Sequence, residues 1–236
     1  MRYKRMSWRR MTSLTIAAAI VISMLASLEA TADEVLFDNG VIQAQINLGA
    51  VSDYDGDSAG VFRADDFVLA NDSVVSTIFW TGFYSPEGGG STEDFELAFY
   101  NDNGDGAPSA TPFFATDVTV NSTIIGQVPV LDVDLFEYEA DLGSLRLDGQ
   151  TNYWLSIRNR TFNDEGDWLW AGNFFADGVG NLGRLHTSRG NAPWEAFDVD
   201  AAILDIRIEG QVVPEPSASA VLGCLIFVLS TRRRTN

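Results

Sequence analysis

Apolar and polar residues alternate along most of the chain from Asp33 to Val212, and no long stretch repeats apolar positions at helical spacing. In Asp94–Tyr100, Phe95, Leu97 and Phe99 share one face while Glu96 and Ala98 point the other way, the two-residue period of a half-buried strand. Leu155 and Ile157 do the same beside Tyr153, and near the end Ile203 lies on one face against Leu204, Ile206 and Ile208 on the other. The predicted strands are Val35–Phe37, Val41–Ile46, Asp66–Leu69, Val74–Tyr84, Asp94–Tyr100, Phe113–Val120, Val133–Ala140, Asn152–Ile157, Trp168–Ala171 and Ala201–Ile208. Gly, Asn, Asp and Pro clusters divide them, such as Pro86-Glu87-Gly88-Gly89-Gly90 and Asn101–Pro108, and supply the turns. Many short strands separated by turns imply an all-β fold, an antiparallel β-sandwich of jelly-roll type. Its main stabilising term is burial of the apolar strand faces, at about 25 cal/mol per Å2.

The two ends of the chain break this pattern. Residues 1–32 combine a basic start (Arg2, Lys4, Arg5, Arg9, Arg10), an apolar stretch from Leu14 to Leu25 and Ala30-Thr31-Ala32. That order predicts a secretory signal peptide, with the small residues Ala30 and Ala32 marking a cleavage site and Asp33 the mature start. At the other end, Val213-Pro214-Glu215-Pro216 precedes a short apolar run, Ala218–Leu229, and a basic stop, Arg232-Arg233-Arg234. The prolines hold the tripeptide extended, and arginines beside a membrane segment resist translocation. As a helix the 12-residue run spans about 18 Å of a roughly 30 Å hydrocarbon core, so it predicts a temporary hold on the membrane. The domains read as 1–32 signal peptide, 33–212 β-sandwich and 213–236 tail with a short apolar helix.

The three-part tail closely resembles the C-terminal sorting signal of the PEP-CTERM family of exported bacterial proteins. The resemblance implies recognition of Pro214, Glu215 and Pro216 by a membrane protease of the exosortase type, with Arg232, Arg233 and Arg234 as the stop. It further implies signal peptidase as an earlier partner, transient inner-membrane contact, and release to the cell surface or outside. A less specific likeness covers about residues 60 to 210 and resembles a sandwich domain common in the same family. It is carried by Ala64-Asp65-Asp66-Phe67, Phe79-Trp80-Thr81-Gly82, Phe95–Tyr100 and Tyr153-Trp154-Leu155-Ser156-Ile157. This likeness implies fold rather than activity.

Without its ends the chain is strongly acidic. Removing the eight terminal cations leaves 7 of 15 Lys and Arg, all arginine, and removing Glu29 and Glu215 leaves 31 of 33 acids, a formal charge of −24. Such a surface disfavours nucleic acid and anionic lipid and keeps the protein soluble. The single cysteine, Cys224, lies in the tail, so the domain has no disulfide and no thiol chemistry.

Three candidate chemistries remain. Asn101, Asn103 and Asp105 with Gly106, and the trio Asp53, Asp55 and Asp57, alternate like the first half of a calcium loop. Neither completes the pattern: Pro112 stands where the first would need a bidentate carboxylate, and Ala59 interrupts the second. The same residues make ordinary turns, so no cofactor is required and Ca2+ is the ion the loops suit. Trp168, Trp170 and Trp194, with Phe174 and Phe175, could form a stacking platform for an extracellular polysaccharide, or fill the core. His186, the only histidine, has Ser188 nearby, but no G-x-S-x-G elbow occurs, and a solvated loop is its expected setting. With 31 acids in the domain, carboxylate pairs suited to glycan hydrolysis arise by chance, and none stands out. The reading is an exported, non-enzymatic surface or matrix protein, with a calcium-assisted carbohydrate-binding module second and a glycan hydrolase third.

Overall fold

The computed structural model describes residues 32–39, 48–53, 60–85, 93–129, 131–160, 167–173, 186–189, 192–196 and 203–214. The chain divides into compact units between Ala32 and Asp33, and of the first only Ala32 is described. Several expectations lie outside the described residues: the signal peptide up to Thr31, including Ala30, the strand Val41–Ile46, Asp55, Asp57, Phe174, Phe175, and the tail from Glu215, including Pro216 and Arg232 to Arg234.

The described strands are β1 Glu34–Asp38, β2 Leu48–Val51, β3 Val61–Val68, β4 Ser73–Tyr84, β5 Phe95–Asn101, β6 Phe114–Val118, β7 Val120–Val128, β8 Val133–Leu147, β9 Asn152–Asn159, β10 Trp168–Asn173, β11 His186–Arg189, β12 Glu195–Ala196, β13 Ile203–Leu204 and β14 Ile206–Val212. They form two antiparallel sheets packed face to face, a β-sandwich. The smaller sheet runs β12-β11-β3-β9-β5-β6. The larger runs β1-β14-β4-β10-β13, with β2 against β10, β8 against β4, and β7 against β8.

The alternation assigns faces as the sequence predicts. Phe95, Leu97 and Phe99 of β5, Leu155 and Ile157 of β9, and Ile206 and Ile208 of β14 all enter one core. Phe95 is the hub of its aromatic part, with ring centroids 4.9 Å from Tyr138, 5.0 Å from Trp168 and 5.4 Å from Trp80. Gly82 of β4 lets the Trp168 indole lie flat against the backbone, since a Cβ there would meet that ring at 2.5 Å.

Other expectations change. The segment Phe113–Val120 is not one strand: β6 closes the smaller sheet against β5, and after Thr119 the chain enters the larger sheet as β7 against β8. Alternation reports which face a residue occupies, not which sheet its strand joins. The strand expected at Asp66 begins at Val61, and the one expected to end at Ala140 continues to Leu147 past a register shift at β4 residues 75 to 77. Four short or polar strands, β2, β11, β12 and most of β7, have no counterpart in the sequence reading.

Candidate functional site

Turning β5, β9 and β3 so that their apolar residues face the core leaves Ala98 and Tyr100, Trp154 and Ser156, and Ala64 on the outer face of the smaller sheet. β11 extends that face, with His186 directly opposite Ala64. These residues form a second layer of burial: Ala64, Ala98, Tyr100 and Trp154 cluster, and Trp194 packs onto them. The Trp194 ring meets Tyr100 edge-on at 5.3 Å, and the Trp154 ring meets His186 edge-on at 4.7 Å. Trp154, Tyr100 and His186 are buried, whereas Trp194 is half-buried and keeps part of its indole open.

The loop after β5 borders this cluster through Asp102. Its Oδ1 accepts the backbone N–H of Gly104 at 2.7 Å and of Gly106 at 3.4 Å, and its Oδ2 accepts from Asn152 Nδ2 at 3.1 Å and Trp154 Nε1 at 3.2 Å. Burial pushes this carboxyl upward, but those donors outweigh it and hold the group below the ordinary carboxylate range. Asn103 Oδ1 accepts from Asp105 N at 2.8 Å and Ala107 N at 3.3 Å. Gly104 and Gly106 supply the left-handed backbone, with φ of 92° and 75°.

In the candidate calcium loop the Asp102 and Asn103 side chains close the turn through the loop's own backbone. Asn103 is committed to backbone N–H groups, while Asn101 and Asp105 are exposed. Asp53, from the other predicted loop, is buried instead, and its Oδ2 accepts the backbone N–H of Trp168 at 2.7 Å. The two loops meet opposite ends of β9, Asn101 beside Tyr153 and Asp53 beside Asn159. Among the described residues no three His, Cys, Asp or Glu side chains are grouped so as to hold a metal ion.

The three candidate tryptophans are not brought together. Trp168 and Trp170 share a face, as expected, but that face is the interior, where both are fully buried and Trp170 Nε1 donates to the Asp205 carbonyl at 3.1 Å. They present no stacking surface, and of the three candidates only Trp194 lies on the outer face. His186 is also corrected: it is a buried strand residue, not a solvated loop histidine. Ser188 is buried on the same strand and donates to the Ala192 carbonyl at 2.7 Å. Sequence reasoning passed over Asp102 and Trp154. The signals were an Asx-Gly turn at Asp102-Asn103-Gly104 and the position of Trp154 out of phase with Leu155 and Ile157.

At the far corner, β14 ends beside the start of β4, with Val212 opposite Ser73, and Val213 N donates to the Asp72 carbonyl at 2.7 Å. Pro214 follows and is exposed. Asp33, the predicted mature start, lies at the same corner: its carboxylate accepts from Ser76 Oγ at 2.6 Å and Gln211 Nε2 at 3.1 Å. No protein family, curated protein or solved structure matches the chain.

Proposed function

We propose that this is an exported, non-enzymatic protein of the cell surface or extracellular matrix, a jelly-roll-type sandwich delivered by a signal peptide cut after Ala32 and by a tail read at Pro214-Glu215-Pro216. The observation that carries the reading is how the described chain ends: among the described residues the last backbone hydrogen bond falls at Val213, and Pro214 after it is exposed. A protease that reads an extended peptide needs it free of the sheet, and proline keeps it so. The apolar helix of the tail and Arg232 to Arg234 then give the temporary inner-membrane hold. The acidic domain agrees with this route, since its charge disfavours nucleic acid that would divert it.

Growing cells with and without an exosortase-type protease, then following the mass and location of the protein, tests the proposal. The expected result is a shortened species outside the inner membrane only when the protease is present. Full-length chain persisting in envelopes of processing-competent cells overturns it.

A second reading rests on the half-open Trp194 indole above Tyr100, which suits stacking on a sugar ring of an extracellular polysaccharide. With Asp102 and Asn103 committed to the turn, it stands on the aromatic pair and not on calcium. Binding to a glycan array that Trp194→Ala abolishes, with the melting temperature unchanged, supports it; binding that persists excludes it.

A further inference from the structure

The edge of the larger sheet at β7 differs from the rest of this acidic domain. Among the described strands β7 pairs with β8, on one side of it, and Asn121 to Ile124 are exposed, Ile124 at 57%. From Val118 to Leu131 the sequence contains no Asp, Glu, Lys, Arg or His. The other edge strands of either sheet are short or carry carboxylates: Glu34 and Asp38 in β1, Asp117 in β6 and Glu195 in β12, while β2 and β13 have four and two residues. The carboxylate nearest β7 upstream, Asp117, pairs at 2.9 Å with Arg160, which Asp94 shares.

We propose that β7 is a self-association edge, at which the strand pairs antiparallel with β7 of a second copy to make one sheet continuous across two molecules. An edge strand without charge or proline offers backbone N–H and C=O groups to another strand. Charge selects the occupant: two copies of a strongly acidic chain repel wherever carboxylates face each other, and β7 is the long described edge where none do. The register shift between Ile124 and Gly126 ends the regular stretch, so pairing is confined to Val120–Ile124. Setting Ser122 opposite its own copy places Ile124 beside Val120 of the second copy on one face, and Asn121 beside Thr123 on the other. One strand back, Glu139 lies opposite Asn121 and Glu137 opposite Thr123, with Glu137 3.9 Å from Arg207. In the joined sheet Glu139 lies three strand spacings, about 14 Å, from Glu137 of the second copy, a residual repulsion that salt screens, so salt strengthens the association. The inference goes beyond the sorting reading and rests on β7 alone, so either can fail without the other.

The test is cross-linking of the full chain in detergent, with Ser122→Cys or Val35→Cys placed in a Cys224→Ser background and oxidised. Val35 is an equally exposed edge residue, at 54%, but sits beside Glu34. The expected result is a covalent dimer from Ser122→Cys that exceeds that from Val35→Cys at least fivefold and increases between about 20 mM and about 500 mM salt, as the screening length shrinks. Adding Ile124→Glu, a change at an exposed position that leaves the melting temperature in place, abolishes it. Equal cross-linking at the two sites, or a dimer that survives Ile124→Glu, overturns the proposal.

Discussion

Asp65 of β3 accepts the backbone N–H of Leu204 in β13 at 3.0 Å, a hydrogen bond that crosses the interior from one sheet to the other. Its second oxygen accepts the N–H of Asp66 at 3.0 Å. Asp53 makes the same kind of link, joining its bridges to β3 and β9 with Trp168 of β10. Face-to-face sheets otherwise meet through side-chain packing, which is non-directional, so two buried carboxyls bonded to named backbone groups fix how the layers are aligned. The arrangement has a cost. Burial, with repulsion from Asp66 added, pushes the Asp65 carboxyl up to about 8 despite the two N–H donors.

Stability is expected to fall as pH rises from about 4 to about 8. A carboxyl whose folded value lies above its ordinary 3.8 binds its proton more tightly when folded. Its contribution is then complete below the unfolded value and is lost as pH climbs through the folded one. Asp205, pushed up to about 6 by burial and by Asp38 and Glu137, acts in the same direction. Asp102, held low, acts oppositely and its contribution disappears only in acid. Thermal melting from about pH 3 to about pH 9 is expected to peak on the mildly acidic side, with Asp205→Asn flattening the part of the decline below about 6. A midpoint that climbs steadily from pH 5 to pH 8 contradicts this.

Much of this was legible in residue order. The period-two pattern of Phe95, Leu97 and Phe99, and of Leu155 and Ile157, assigned the core face and hence the sandwich. Trp168 and Trp170 sharing a face was equally legible, but which side that face takes depends on the partner sheet, which no local pattern records. His186 reads as a loop residue, yet the β3 ladder makes it part of a strand in which it and Ser188 are buried, His186 against Trp154. Asp53 reads as a turn residue and Asp65 has no assigned role, because the backbone N–H groups their carboxyls accept lie 115 and 139 residues further along the chain. Chemistry that depends on such distant contacts appears only in the folded chain.

Gly82→Ala is expected to destabilise the domain by about 1 to 3 kcal/mol, the range for overpacking a filled core. The added methyl would stand 2.5 Å from the Trp168 ring. That ring cannot withdraw, since Phe95 lies at 5.0 Å and Tyr138 at 6.2 Å. Urea denaturation followed by tryptophan fluorescence measures the loss, and a midpoint equal to wild type shows that Trp168 has room to move.

Asp102→Ala and Asp105→Ala are expected to differ although they are three positions apart in one acidic loop. Removing Asp102 leaves the buried Trp154 indole N–H and three further donors without their acceptor, a loss of roughly 1 to 3 kcal/mol. Asp105 is exposed, and its side chain takes no part in the hydrogen bonds that close the turn, so its loss is expected to stay within about 0.5 kcal/mol. Chemical denaturation of both variants, with and without millimolar calcium, decides it. Comparable losses would mean that the turn is held by charge and not by these bonds.

Leu97→Asp is expected to prevent folding, whereas Val68→Asp is expected to be tolerated. Leu97 is fully buried at the centre of β5, between Ile157 of β9 and Thr116 of β6, within a cluster of hydrophobic side chains. A charge forced into that position either stays ionised without a partner or takes up a proton at a cost of several kcal/mol, and either outcome removes most of a domain's net stability. Val68 ends β3 with 44% of its surface exposed, so an aspartate there remains in water. Circular dichroism and melting of the two variants separate the cases. A cooperative transition near the wild-type midpoint in Leu97→Asp would mean that the inward face of β5 has been assigned to the wrong residues, and with it the register of the whole smaller sheet.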